Sequence, residues 1–273
     1  MAINLKLSVI IVGCLLLASS TCCASWTEPI TILRGSWGSG PNEFGLREGD
    51  TEDVLPVLSA VLDDGKIIIT DLINKREKVY NKDGNNIKNV PWVIKQNNAD
   101  IDNPELLKYQ YINVQGYSSD GSVWLKDDMF YLKDVSGVEL KSSKKMPAEL
   151  CRQVPIDNKT ASVKCNNLEW RITDLANKYI IDKYSNLYGI GNRQIIRYAS
   201  NGNAVSKVEL PQDTIQSRDL SSDYPDDMEI PKDMIIESYG EPLVAPNGDV
   251  YVWKRTQDMF QIIKWSWQTE LPN

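Results

Sequence analysis

The chain has 273 residues, of which 42% are apolar, 25% charged and 8% aromatic, a composition that excludes wholesale disorder and a multi-span membrane protein. Its net charge of −7 disfavours nonspecific attraction to a phosphate backbone, so no nucleic-acid partner is expected. Histidine is absent, which excludes Ser-His-Asp and Cys-His catalysis, His-ligated zinc and haem attached through Cys-x-x-Cys-His.

Residues 1–24 read as a secretory signal peptide. Lys6 supplies the positive charge, residues 7–18 (LSVIIVGCLLLA) the apolar core, and Cys22-Cys23-Ala24 the small residues before a cleavage site. Two alternatives are an uncleaved anchor and a lipoprotein. The anchor is disfavoured because residues 19–24 are too polar to help span a hydrocarbon core of ~30 Å. Lipidation at Cys14, in Ile11-Val12-Gly13-Cys14, would leave the apolar run that follows without a use. Export is therefore expected, to a periplasmic, extracellular or envelope-associated location, with no transmembrane span after signal removal.

Residues 25–273 then read as a single domain built of strands. Ile30-Thr31-Ile32-Leu33 is a short alternating strand placed to pair with the end of the chain. Gly65, Gly121 and Gly248 each sit in an Asp-Gly or Asn-Gly turn that feeds a run of β-branched and aromatic residues, and Ser185 takes the glycine's place in a fourth copy. These landmarks are 56, 64 and 63 residues apart. Each is followed by a second strand, and three copies then reach a second turn, at Asp83-Gly84, Ser136-Gly137 and Asn201-Gly202. No long stretch has helical spacing, so the class is all-β, with hairpin units repeating around a ring.

Cys151 and Cys165, 14 positions apart, are the only cysteines after the signal segment. In an exported chain they are expected to form a disulfide, which would stabilise the fold by about 3 kcal/mol in the chain-entropy model.

Residues 38–46 (GSGPNEFGL), 64–71 (DGKIIITD), 74–80 (NKREKVY) and Asp83-Gly84 together resemble an NHL repeat. That pattern runs from a glycine-rich loop and a phenylalanine through a strand ending in Asp, Asn-x-Arg, a second strand and Asp-Gly. The other three copies lack the Asn-x-Arg step. The resemblance implies a β-propeller. About 250 residues at about 40 per four-stranded blade favour six blades, with five as the alternative. Residues 146–175 and 210–240 would supply the less regular blades, and the terminal strands would pair to close the ring.

Function is legible only as a class. The expected role is a non-catalytic module binding a protein or another ligand of the cell envelope or extracellular space, through loops on a rigid scaffold. The alternative is a divalent-metal-dependent hydrolase of the lactonase or esterase type, with carboxylate and amide ligands. No motif selects catalytic, cofactor-binding or metal-ligating residues. Trp37, in the glycine-rich loop, is the aromatic best placed for a binding surface, whereas Trp124 and Tyr251 read as core. Asp223, Asp226 and Asp227 belong to an acidic stretch over residues 213–233 that could face a basic partner or Ca²⁺. Its spacing departs from the alternate-ligand calcium loop, and a solvated connection explains it as well.

Overall fold

Ile67, Ile68 and Ile69 are consecutive and all fully buried, as expected for an extended strand covered on both faces. They belong to a computed structural model that describes residues 25–48, 54–91, 114–126, 129–134, 138–191, 193–211, 214–216 and 235–268. The signal segment, and Asp223, Asp226 and Asp227 of the acidic stretch, lie outside the described residues.

The chain opens with β1 (Ser25–Trp26) and β2 (Ile30–Ser36). The first blade follows as an antiparallel meander of β3 (Val57–Val61), β4 (Ile67–Asp71), β5 (Arg76–Tyr80) and β6 (Asn86–Pro91). The second is β7 (Val114–Tyr117), β8 (Val123–Lys126), β9 (Phe130–Lys133) and β10 (Glu139–Ser143). The third has three strands, β11 (Arg152–Pro155), β12 (Ala161–Cys165) and β13 (Leu168–Ile172). The fourth is β14 (Lys178–Ile181), β15 (Leu187–Gly191), β16 (Gln194–Tyr198) and β17 (Ala204–Glu209). The fifth gathers β18 (Thr214–Gln216), β19 (Ile235–Tyr239), β20 (Leu243–Val244), β21 (Val250–Arg255) and β22 (Met259–Trp265). β2 is its outermost strand, with Ile30 opposite Lys264 and Ser36 opposite Met259. β1 pairs with the last strand, β23 (Trp267–Gln268), which sets Trp26 opposite Trp267.

The fold is an all-β propeller of five blades, not the six favoured by length. Division by blade length assumes evenly spaced strands, whereas 22 residues separate β6 from β7 and 18 separate β18 from β19. Residues 146–175 supply one three-stranded blade, and β7 of the second blade packs directly against β14 of the fourth.

Buried apolar residues lie between neighbouring blades. Leu33, Tyr251, Phe260 and Ile262 of the fifth meet Leu58, Ile67 and Ile69 of the first, and the opposite face of the first, with Ala60 and Ile68, meets Val123 and Leu125 of the second. Val163, Trp170 and Ile172 of the third blade pack with Ile181, Leu187 and Ile196 of the fourth, whose Ile180 and Ile195 in turn meet Val250 and Val252 of the fifth. Burying a side chain of this size contributes about 1.5–3 kcal/mol, so these clusters hold the first blade to the second and fifth, and the fourth to the third and fifth. Trp124 and Tyr251 are both core, at 1% and 2% exposure. Cys151 and Cys165 are disulfide-bonded, tying the chain before β11 to the end of β12.

The four landmark turns have one geometry. The N–H groups of Gly65, Gly121, Ser185 and Gly248 each donate to the carbonyl three residues back, at 2.9–3.1 Å. All four residues are left-handed, with φ of 80°, 84°, 64° and 84°. Ser185 thus occupies a conformation that glycine adopts without cost. The turns also meet in space. Lys183 Nζ lies 2.5 Å from Asp63 Oδ1, the Lys183 N–H donates to the Pro246 carbonyl, and Gly121 faces the Asp63 side chain. One end of the propeller is therefore drawn together by loops from the first, second, fourth and fifth blades.

Candidate functional site

The glycine-rich loop over residues 38–44 is held from below by the first blade. Arg76 Nε pairs with buried Asp71 at 2.9 Å, while its Nη atoms donate to the carbonyls of Ser39, Gly40 and Glu43. Asn74 donates to the Gly38 carbonyl, and Lys78 donates to the Glu43 carbonyl with its ammonium 4.2 Å from the Phe44 ring centroid. Burial lowers the Lys78 pKa to about 8. Trp37 is half-buried against Phe260, and its indole N–H donates to the carbonyls of Thr256 and Gln257. The structure thus places Trp37 as a clasp between the loop and the fifth blade, with part of its ring at the surface.

A different place carries a formed recess. Between the third and fourth blades lies a groove of about 370 Å³, lined in part by Trp267. Its apolar lining comes from buried Trp170, Leu187 and Tyr198 and from exposed Leu168 and Val205. Leu168 and Trp170 project from β13, whose partner β12 is fixed by the disulfide, whereas Val205 sits on the outer strand β17.

One chain of polar contacts positions the groove's cation. Asp182, 2% exposed, accepts the backbone N–H groups of Tyr184 and Asn186, the Asn186 amide at 2.7 Å and the Tyr188 hydroxyl at 3.0 Å. Burial and the neighbouring Asp182 push the Tyr188 phenol above its ordinary range, so it donates as a neutral hydroxyl. With its amide nitrogen engaged, Asn186 presents its Oδ1 to Arg197 Nη2 at 2.7 Å. The Arg197 guanidinium carbon lies 3.9 Å from the centroid of the Trp267 ring. Trp267 is itself braced edge-on by Trp26 at 5.2 Å. No acceptor for Arg197 Nε or Nη1 occurs among the described residues.

Glu169 carries the groove's negative charge. It accepts from Ser162 Oγ at 2.5 Å and lies 3.3 Å from Lys164 Nζ, and these two contacts hold its carboxyl below the usual range. Among the described residues no three His, Cys, Asp or Glu side chains gather as a metal site. None of them forms a helix long and apolar enough to cross a membrane.

Sequence reasoning did not single out this groove. Neither Arg197 nor Trp267 carries a local motif that marks it. They come together because β1 pairs with β23 beside the fourth blade, a relation that no local pattern encodes.

No protein-family model matches the chain, and no curated protein does. Among solved structures it is similar to a catalytically inactive virginiamycin B lyase from Staphylococcus aureus with quinupristin, at 9% identity over 88% of this chain and 99% of that one, TM-score 0.29. A streptogramin B lyase structure aligns at 10% identity over 76% and 78% of the two chains, TM-score 0.24. Selenomethionine-substituted virginiamycin B lyase from Staphylococcus aureus aligns at 14% identity over 87% and 74%, TM-score 0.21. Likeness this distant carries no argument about activity.

Proposed function

We propose that this chain is an exported, non-catalytic β-propeller that binds a protein or another ligand of the envelope or extracellular space through the groove between its third and fourth blades. The observation that carries this reading is Arg197: a half-buried cation held over the Trp267 ring and fixed through Asn186 to buried Asp182, in an apolar recess. Such preorganisation lowers the ordering cost of binding. Asp182 and Glu169 are both engaged in hydrogen bonds that shape the site, which suits recognition better than proton transfer.

The Cys151–Cys165 disulfide supports an oxidising compartment, in keeping with a signal peptide over residues 1–24. We read the pairing of β2 with β22 as the closure that keeps the ring rigid. The Arg76, Asn74 and Asp71 contacts beneath the loop over residues 38–44 support reading residues 38–84 as an NHL-type repeat.

The test is a thermal-shift screen of peptides and small metabolites on the folded chain, repeated on Val205→Arg. Val205 is 47% exposed, so the arginine is accommodated at the surface while filling the recess. Stabilising ligands that lose their effect on Val205→Arg support the reading. Ligands that stabilise both proteins equally contradict it.

A further inference from the structure

The groove's charge pattern defines a ligand class, an inference that rests on the binding reading above. We propose that it takes the C-terminal carboxylate of a short peptide whose last side chain is apolar, with Arg197 as the carboxylate's partner.

The cation comes first. Arg197 Nη2 is engaged by Asn186 at 2.7 Å, while Nε and Nη1 keep N–H donors with no acceptor among the described residues. Donors arranged in a fork match the two oxygens of a carboxylate. The guanidinium cannot swing to find an acceptor elsewhere without leaving the Trp267 face and breaking the Asn186 contact. Among the described residues nothing supplies that acceptor, and a ligand carboxylate fits it.

The charge of the ligand follows from Glu169. Its carboxyl lines the same groove and is held in its ionised form by Ser162 and Lys164. A second negative charge on the ligand would meet repulsion from it, the one acidic residue in the lining. One carboxylate is therefore accommodated where a phosphate dianion is not.

The body of the ligand follows from the walls. Leu168 and Val205 present exposed apolar surface, while Ser185 and Ser200 place hydroxyls along the same recess. Apolar contact interrupted by hydroxyls suits a peptide, whose backbone amides alternate with side chains. An unbroken hydrocarbon chain leaves those hydroxyls unpaired. A volume of about 370 Å³ accommodates a few residues.

The test uses three probes on the folded chain by titration calorimetry: N-acetyl-Ala-Ala-Leu as the free acid, its C-terminal amide, and octanoate. The acid is expected to bind at least about tenfold more tightly than the amide or octanoate. Arg197→Gln should bring the acid down to the amide's affinity, and the acid-to-amide comparison on the unaltered chain needs no variant to fold. Equal binding of acid and amide, both lost on Val205→Arg, would overturn the carboxylate assignment and leave the groove as a site. Octanoate binding as well as the acid would overturn the peptide assignment. Failure of all three to bind, or binding indifferent to Val205→Arg, would overturn the inference; in the second case the groove itself would be ruled out as the place where these probes bind.

Discussion

Lys183 and Asp63, 120 residues apart, form an ion pair at 2.5 Å that joins the landmark turn of the fourth blade to that of the first. Their side chains are 20% and 23% exposed, so the pair is shielded without being dry. Contacts to Gly121 and the Pro246 carbonyl bring the second and fifth blades to the same point. A double-mutant cycle of Asp63→Asn and Lys183→Met, followed by urea unfolding, should give a coupling of about 1 kcal/mol. Strict additivity of the two changes would show that the turns are held by packing alone.

Ser185 carries the left-handed conformation that Gly65, Gly121 and Gly248 adopt at equivalent turns. Replacing it with glycine should stabilise the fold by about 0.5–1 kcal/mol, because the strain relieved exceeds the added freedom of the unfolded chain. Gly121→Ala should act oppositely. Its Cβ would lie 2.8 Å from the Asp63 side chain at a φ of 84°, and a loss of about 1–3 kcal/mol is expected. Melting temperatures of the two variants, moving in opposite directions, check both statements.

Glu77 is fully buried, and its Oε2 has no hydrogen-bond partner among the described residues. Burial raises its pKa to about 7, while the Thr70 hydroxyl at 2.8 Å pulls the other way. A carboxyl whose pKa is raised on folding binds its proton more tightly in the native state. Stability is therefore highest below the unfolded pKa, falls as pH climbs to about 7, and stays low above that. Glu77→Gln removes the titrating group with little change of shape. The variant should gain stability relative to the parent by about 3 kcal/mol at pH 8 and differ little at pH 4.5. Unfolding curves at the two pH values decide it, and an equal difference at both would remove Glu77 as the cause.

The disulfide braces the third blade, the smallest of the five and one wall of the groove. Replacing Cys151 and Cys165 together with alanine should cost about 3 kcal/mol. Hydrogen exchange should quicken most in β12 and β13. Uniform quickening over the whole chain would show that the third blade has no local dependence on the bond.

The hairpins were legible because each begins at a left-handed residue followed by buried β-branched, leucine or aromatic side chains, and both signals are local. Ser185 marked its copy only by phase with Gly65, Gly121 and Gly248, and its φ of 64° explains why the phase held. The blade count was not legible, since dividing the length assumes evenly spaced strands, and the 22 residues between β6 and β7 depart from that spacing with no local signal to mark it. The groove was less legible still. Asn186, Arg197 and Trp267 sit in a turn, a strand and the final strand, and their meeting depends on the pairing of β1 with β23. The loop residue Trp37 stood out in the sequence, and its N–H bonds tie it to the fifth blade.

The central claim is that the groove between the third and fourth blades is the place where this protein binds. A crystallographic fragment screen on the whole folded chain tests it most directly, because it reports location before any ligand is known. The account predicts that fragments gather in the groove, with carboxylates against Arg197 and apolar groups against Leu168 and Val205. Fragments gathering on another face, with the groove left empty across the screen, would contradict it.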